Sequence, residues 1–335
     1  MTGTTWVGDP AVAWTPAVSV RRPDGVDATS LTAAFEVLAE RLPGGLPPAP
    51  VTTVAEEGLL LGAVTGRSPH PVQVCLSPTR LAISVDHSVG DGLSLLALLT
   101  ALTGRAATSG AAGVGDRPPR YGFVSARLRR VGEALVSPPS EIAPTRRTPG
   151  ADGDVFASAV VERRLGTAAL VAACAAAADG LVVPSRLRRT RVAIGVSRPG
   201  GAEPVLGDQS ALLRLGPRQL HSVEAARAAL RSQGTEPAAA DPVYDDRAWL
   251  ATLTSRLQAG LAGRLGSTYL VSHLGELDTD LEDVAFFPVT GGGSGISLGA
   301  AVQGGHTLLT VRGRGARHDP AGLSRILDAV ADRAR

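Results

Sequence analysis

Residues 80–99 read Arg80-Leu-Ala-Ile-Ser-Val-Asp-His87-Ser-Val-Gly-Asp91-Gly92-Leu-Ser-Leu-Leu-Ala-Leu-Leu. Strand alternation puts Leu81, Ile83 and Val85 on one face and Ala82, Ser84 and Asp86 on the other. A glycine-bearing turn follows, and then an apolar run that predicts a buried helix ending near Gly104. His87 falls where the strand ends, and Asp91 four residues later. This spacing sets a general base at the rim of an open turn and an acidic group where it can lock that turn.

Outward from this core, residues 17–21 read as a first strand. Leu31, Ala34, Phe35, Leu38 and Leu42 share one face of a helix expected over 30–42, with Ser30 as its cap. Runs at 59–64, 72–76 and 81–85, separated by Gly, Pro and Ser, read as strands. Residues 106–115 read as a loop and 123–135 as a basic helix. The Pro- and Gly-rich stretch 137–154 carries most of the linker signals. The expected boundary therefore divides the chain into an N-terminal lobe, 1–145, and a C-terminal lobe, 146–335. In the second lobe, strands are expected at 156–165, 191–196, 210–215, 268–272, 295–302 and 306–312. Helices are expected at 167–178, 222–232, 246–261 and 320–333. Strand, helix and further strands thus occur twice, which points to two mixed α/β lobes of related design.

Composition bounds the function. A chain of 335 residues with 44% hydrophobic residues exceeds one typical core. A net charge of +2 and only 3% aromatics argue against a nucleic-acid binder. All 33 cationic residues are arginine, so Schiff-base, pyridoxal and phosphate-loop lysine chemistry is excluded. The two cysteines, Cys75 and Cys174, have no metal-ligand spacing and are expected as reduced, buried thiols, and no metal site is expected. No run is long enough to span a bilayer, and the first residues lack the charge and apolar pattern of a secretory signal. A cytoplasmic location without membrane attachment is expected.

Asp86-His87-Ser-Val-Gly-Asp91-Gly92, placed after a strand and before an apolar helix, resembles the His-His-x-x-x-Asp-Gly motif of the CoA-dependent acyltransferase superfamily. That superfamily includes chloramphenicol acetyltransferases, peptide-synthetase condensation domains and polyketide-associated acyltransferases. The second half adds Val196-Ser-Arg198-Pro with Leu206-Gly207-Asp208, Val271-Ser272-His273-Leu274-Gly275, and Phe287-Pro-Val-Thr-Gly-Gly-Gly. Together these span roughly residues 15–330. Asp86 stands where the first motif histidine is usual, Asp208 and His273 where asparagines are, and the chain is shorter than usual for the family.

The resemblance implies a two-lobed chloramphenicol acetyltransferase-like fold with a tunnel between the lobes. It implies acyl transfer from a thioester co-substrate, CoA or a phosphopantetheinyl acyl or peptidyl carrier protein, to a small-molecule acceptor, with no permanently bound cofactor. His87 is then the base. Asp91 holds the histidine loop by pairing with an arginine: Arg198 first, with Arg21 or Arg22 as alternatives. A helix cap by Asp91 is compatible with that pairing. Gly92 permits close substrate approach, and its neighbouring N–H groups, Ser272 and His273 are candidate oxyanion donors or substrate contacts. His273 is equally open to a structural role. The arginines at 127, 129, 130, 186, 188 and 189 read as a solvated face or as a dock for a phosphorylated arm or an acidic carrier. Two other readings stay open: cyclisation, dehydration or epimerisation of a tethered intermediate, and a non-catalytic docking module. The catalytic reading depends on the His87 ring facing a cleft and on Asp91 meeting a guanidinium.

Overall fold

The computed structural model describes residues 14–41, 50–146, 153–198, 207, 209–237, 264–290 and 295–334. The first lobe contains β1 (Ala17–Arg21), α1 (Ala28–Arg41), β2 (Val51–Thr53), α2 (Glu57–Thr65), β3 (Val72–Leu76), β4 (Arg80–Val85) and α3 (Gly92–Thr103). β5 (Ala107–Ser109) and α4 (Phe123–Val136) lead into β6 (Asp154–Val161), α5 (Thr167–Leu181), β7 (Val192–Ser197) and β8 (Ser210–Leu215). The chain continues through α6 (Pro217–Leu220), α7 (Val223–Ser232), β9 (Tyr269–Thr279), β10 (Ala285–Phe287), β11 (Ile296–Gln303), β12 (His306–Arg314) and α8 (Pro320–Ala334). The helix expected over 246–261 and the glycine run 291–294 lie outside the described residues.

Two mixed sheets result. The first has the order β10-β1-β4-β3-β2; the second runs β6-β12-β11-β9-β7-β8, with β5 also pairing with β9. The β4 alternation decides how the first lobe packs. Leu81, Ile83 and Val85 join Leu31 and Phe35 of α1 and Leu95, Leu98 and Leu99 of α3 in one core. On the other face Ala82 packs with Leu60 and Val64 of α2, and the Ser84 hydroxyl donates to the Val64 carbonyl. A larger core in the second lobe sets α5, α7 and α8 against its sheet.

Several expected elements need correction. Residues 59–64 form helix α2, not a strand: Leu60 and Val64 are buried one turn apart, while Leu59 is 57% exposed. A short apolar run fits either period, and packing on one face decided it. The expected loop over 106–115 contains β5, which pairs with β9 of the other sheet. β10 comes from the second half yet pairs with β1 through Ala17–Phe287 and Val18–Phe286. Each half of the chain therefore lends a short strand to the other's sheet, and Ile142 enters the second core. Cys75 and Cys174 are both free and buried. Burial pushes the Cys75 thiol up to about 11 and raises Cys174 as well.

Glycine is required where β10 crosses β11. A Cβ at Gly299 would overlap the Phe286 carbonyl oxygen and stand 2.8 Å from Pro288 Cδ. Hydroxyls then hold the crossing strand. Thr310 Oγ1 donates to the Phe286 carbonyl, and Ser297 Oγ to the Pro288 carbonyl at 3.0 Å.

Candidate active site

The turn after β4 is built by its own side chains. Val89 and Gly90 N–H groups donate to the Asp86 carbonyl at 2.9 and 3.0 Å. Asp86 Oδ1 accepts from the Ser88 N–H at 2.9 Å and the Ser88 hydroxyl at 2.6 Å. Asp86 thus shapes the loop. The His87 N–H donates to the Trp14 carbonyl at 2.7 Å, and the imidazole meets the Trp14 ring edge-on, 6.5 Å between centroids.

Asp91 is 5% exposed and caps α3. Its Oδ1 accepts from the Leu93 and Ser94 N–H groups, each at 3.0 Å, and from Ser94 Oγ at 3.2 Å. Its Oδ2 accepts from the Gln209 N–H at 3.1 Å. The expected guanidinium is absent from this set: among the described residues Arg198 reaches the region only through its backbone N–H, which donates to the Gln209 carbonyl at 2.9 Å. Arg21 pairs with Glu282 and Asp283, and Arg22 donates to the Ser77 carbonyl, so neither alternative serves. The ion-pair expectation for Asp91 is therefore corrected. A buried carboxylate can be compensated by several amide donors at a helix N-terminus, and here it is. The turn is still locked, by amide donors in place of a guanidinium, so that condition of the catalytic reading is not met and the reading goes forward on the position of His87 alone.

Gly92 is needed for contact between the lobes. A Cβ there would stand 2.9 Å from Leu274 Cδ2 and 3.0 Å from Phe286 Cζ. The first turn of α3 thereby presses against β9 and β10.

His87, Gly92 and Trp14 from the first lobe line a cavity of about 220 Å³ with Ser272, His273 and Leu212 from the second. Asp91, Phe286 and Val289 also contribute to its wall. His87 is thus among the residues that line a cleft between the lobes. A second cavity of about 430 Å³ shares Ala111, Gly195, Val196, Ser197 and His273 with the first, so the two abut along β7.

Ser272 and His273 are both present, but they differ in what they can offer. His273 Nδ1 accepts from the Gly275 N–H at 2.7 Å, while Nε2 lies 2.7 Å from the Leu165 carbonyl. The ring is therefore the neutral tautomer with its proton on Nε2. Burial holds it below the usual imidazole value, against the opposing effect of the Leu165 carbonyl. With both nitrogens engaged, His273 is a structural group and not an oxyanion donor.

Arg129, Arg186 and Arg189 are exposed and Arg130 and Arg188 half-buried, so much of the basic face is solvated while several of its guanidinium groups are held by local partners. Arg129 pairs with Glu133 and stacks on Tyr121, Arg130 pairs with Glu236, and Arg188 pairs with Glu141. Arg189 donates to the Arg186 and Arg188 carbonyls. Sequence reasoning missed Trp14, Ser94, Gln209 and Phe286. Ser94 was open to detection, since it stands at the third position after a capping aspartate; the other three reach the site only through tertiary packing.

No family model and no curated protein matches the chain. Solved structures do. The first condensation domain of the calcium-dependent antibiotic synthetase, in complex with a substrate analogue, aligns at a TM-score of 0.55 and 16% identity. That alignment covers 97% of this chain and 93% of the other. A mutant of the starter condensation domain of rhizomide synthetase, in complex with C8-CoA and Leu-SNAC, aligns at 0.55 and 12%, covering 96% and 88%. The cyclization-docking bidomain of a peptide synthetase from Sorangium cellulosum aligns at 0.50 and 15%, covering 99% and 83%. The chain has the fold of condensation-type domains, which is the two-lobed chloramphenicol acetyltransferase-like fold.

Proposed function

We propose that this chain is an acyltransferase. It moves an acyl group from a thioester, on CoA or on a carrier protein's phosphopantetheine arm, to a hydroxyl or amine of a small natural product. The observation that carries this reading is His87 among the residues lining a cavity built by both lobes, on a fold shared with a starter condensation domain solved in complex with C8-CoA and Leu-SNAC.

The neutral imidazole of His87 takes the acceptor's proton as its O or N bonds to the thioester carbonyl carbon. The carbonyl oxygen becomes an oxyanion in a largely apolar wall, where a hydrogen-bond donor counts for more than in water. Asp91 already holds the Leu93 and Ser94 N–H groups; the donors assigned to the oxyanion are the Gly92 N–H and the Ser272 hydroxyl, from two residues that line the cavity. Collapse breaks the C–S bond, and the thiolate leaves with the proton from His87. Asp91 keeps His87 in place by tying the turn to α3 and to Gln209.

The test is product mass. Octanoyl-CoA incubated with a panel of amines and alcohols should yield acylated acceptor and free thiol in equal amounts. A second reading has the site rearranging a tethered intermediate, in keeping with the likeness to a cyclization-docking bidomain. Under that reading, carrier-bound substrates change mass or stereochemistry without an added acceptor, and no acceptor is acylated.

A further inference from the structure

Arg312 on β12 is fully buried and is the bulkiest side chain in the molecule's interior among the described residues. Its Nε donates to Asp154 Oδ2 at 2.6 Å and its Nη1 to the Thr15 carbonyl at 2.7 Å. The guanidinium carbon lies 5.6 Å from the centre of the Phe156 ring, which packs edge-on against Phe287 at 5.5 Å. Interior ion pairs are poor stabilisers, because desolvation offsets their attraction and replacing both partners by apolar side chains of similar volume often serves as well. What this guanidinium does, and an apolar group cannot, is grip a backbone carbonyl of the other lobe.

The gripped segment leads directly to the candidate base. The Trp14 carbonyl, one residue from Thr15, accepts the His87 N–H at 2.7 Å, and the Pro16 carbonyl accepts the Val85 N–H at 3.2 Å. The Trp14 ring stands edge-on to the imidazole and lines the same cavity. Thr15 Oγ1 is itself committed to the Thr65 carbonyl at 3.0 Å. Residues 14–16 are therefore fixed to β4 and α2 on one side and to the second lobe on the other.

We infer that Arg312 is a positioning residue for His87: from the second lobe it fixes Trp14–Pro16, and through that segment it sets the orientation of the imidazole. The inference rests on the reading of His87 as the base. It assigns the second lobe a part in catalysis that does not pass through substrate contact. It also gives a reason for a charge at this position: it reports to the first lobe that the two halves are correctly docked.

The experiment compares wild type, Arg312→Met and Arg312→Lys, each labelled with 15N-histidine. The chain has six histidines, and the His87 ring signal is assigned by its loss in His87→Gln. Arg312→Met leaves Asp154 without its partner, so the expected result is a lowered thermal midpoint with the folded state still populated by circular dichroism, and a doubled or displaced His87 ring signal. Its turnover of octanoyl-CoA with an amine acceptor should fall at least tenfold in kcat, with KM changed less than about twofold. Arg312→Lys, which keeps one cationic donor, should recover part of both readouts. An unchanged His87 signal and kcat in Arg312→Met overturn the inference. So does a loss of kcat that merely follows loss of fold and that lysine does not relieve. If Arg312→Met does not fold, the double variant Arg312→Met/Asp154→Leu carries the test, since it loses the grip on the Thr15 carbonyl without leaving a buried carboxylate unpaired; an undisturbed His87 signal there overturns the inference. Because the ring signal is read without substrate, the inference can fail while His87 remains the base. Conversely, full turnover by His87→Ala removes the base and leaves the ring measurement standing.

Discussion

The Gln209 backbone N–H donates to Asp91 Oδ2 at 3.1 Å, joining positions 118 residues apart. One carboxylate thereby caps α3 in the first lobe and holds the approach to β8 in the second. Ser94 strengthens the tie, since its hydroxyl oxygen accepts from the Gly207 N–H at 3.3 Å.

Replacing Asp91 with alanine should cost about 2–4 kcal/mol. Loss of a cap accounts for about 1 kcal/mol, and stranding buried N–H groups adds about 1–3 kcal/mol. Arg198→Ala should change stability by less than about 0.5 kcal/mol, because only its backbone joins the network. Urea titrations of the two variants decide the matter. An equal loss in both would restore the arginine partnership that the geometry denies.

Gly299→Ala should be among the most damaging single substitutions in the chain. Its methyl group would overlap the Phe286 carbonyl and crowd Pro288. Neither backbone nor proline ring can move aside without displacing β10 from the first sheet. A loss above about 3 kcal/mol, or failure to accumulate folded protein, is the expected outcome in a thermal or denaturant melt. A near-neutral result would mean that the β10 crossing is misplaced.

Ser272 and His273 should separate cleanly although they are adjacent. Ser272→Ala should lower turnover, by up to about 10²-fold for a main oxyanion donor, and leave the melting temperature unchanged. His273→Ala should do the reverse, since it abandons the Gly275 N–H and the Leu165 carbonyl at a stability cost of about 1–3 kcal/mol. Paired kinetics and calorimetry on the two variants would show the opposite pattern if His273 served the substrate.

Acid should weaken the fold through buried imidazoles. Burial, and then the Arg317 charge, push His318 down to about 4, and burial also lowers His273. The unfolded chain takes up these protons near pH 6.5 while the folded one refuses them. Stability is therefore full above about pH 6.5 and falls as pH drops toward about 4. His318→Phe should abolish roughly 3 kcal/mol of that fall, at 1.36 kcal/mol per pKa unit. Melting temperatures measured from pH 7.5 to 4 in both proteins provide the check; parallel curves would remove His318 from the account.

The local signals were strong wherever one element carried its own pattern. The β4 alternation and the apolar α3 run with its Asp91 cap appear where expected, as do Ala17–Arg21 and Ser210–Leu215. Local pattern failed where packing chose between alternatives. Leu59–Val64 carries no period that excludes a helix, and the three-residue strands β5 and β10 exist only because a sheet edge from the other half receives them. The partner of Asp91 was misjudged for a related reason. Sequence displays side-chain charges but not the direction of backbone N–H groups, and here the backbone supplied the compensation. Trp14 and Arg312 were equally hidden, since their importance lies in a carbonyl and a packing distance.

The central claim concerns one imidazole, and single-turnover kinetics test it most directly. His87→Ala, folded by circular dichroism, is mixed with octanoyl-CoA and the best acceptor found for the wild-type protein, and acylated product is followed by mass. The account predicts a rate lower by about 10²–10⁴-fold, the usual worth of a positioned general base. Transfer at the wild-type rate would contradict it.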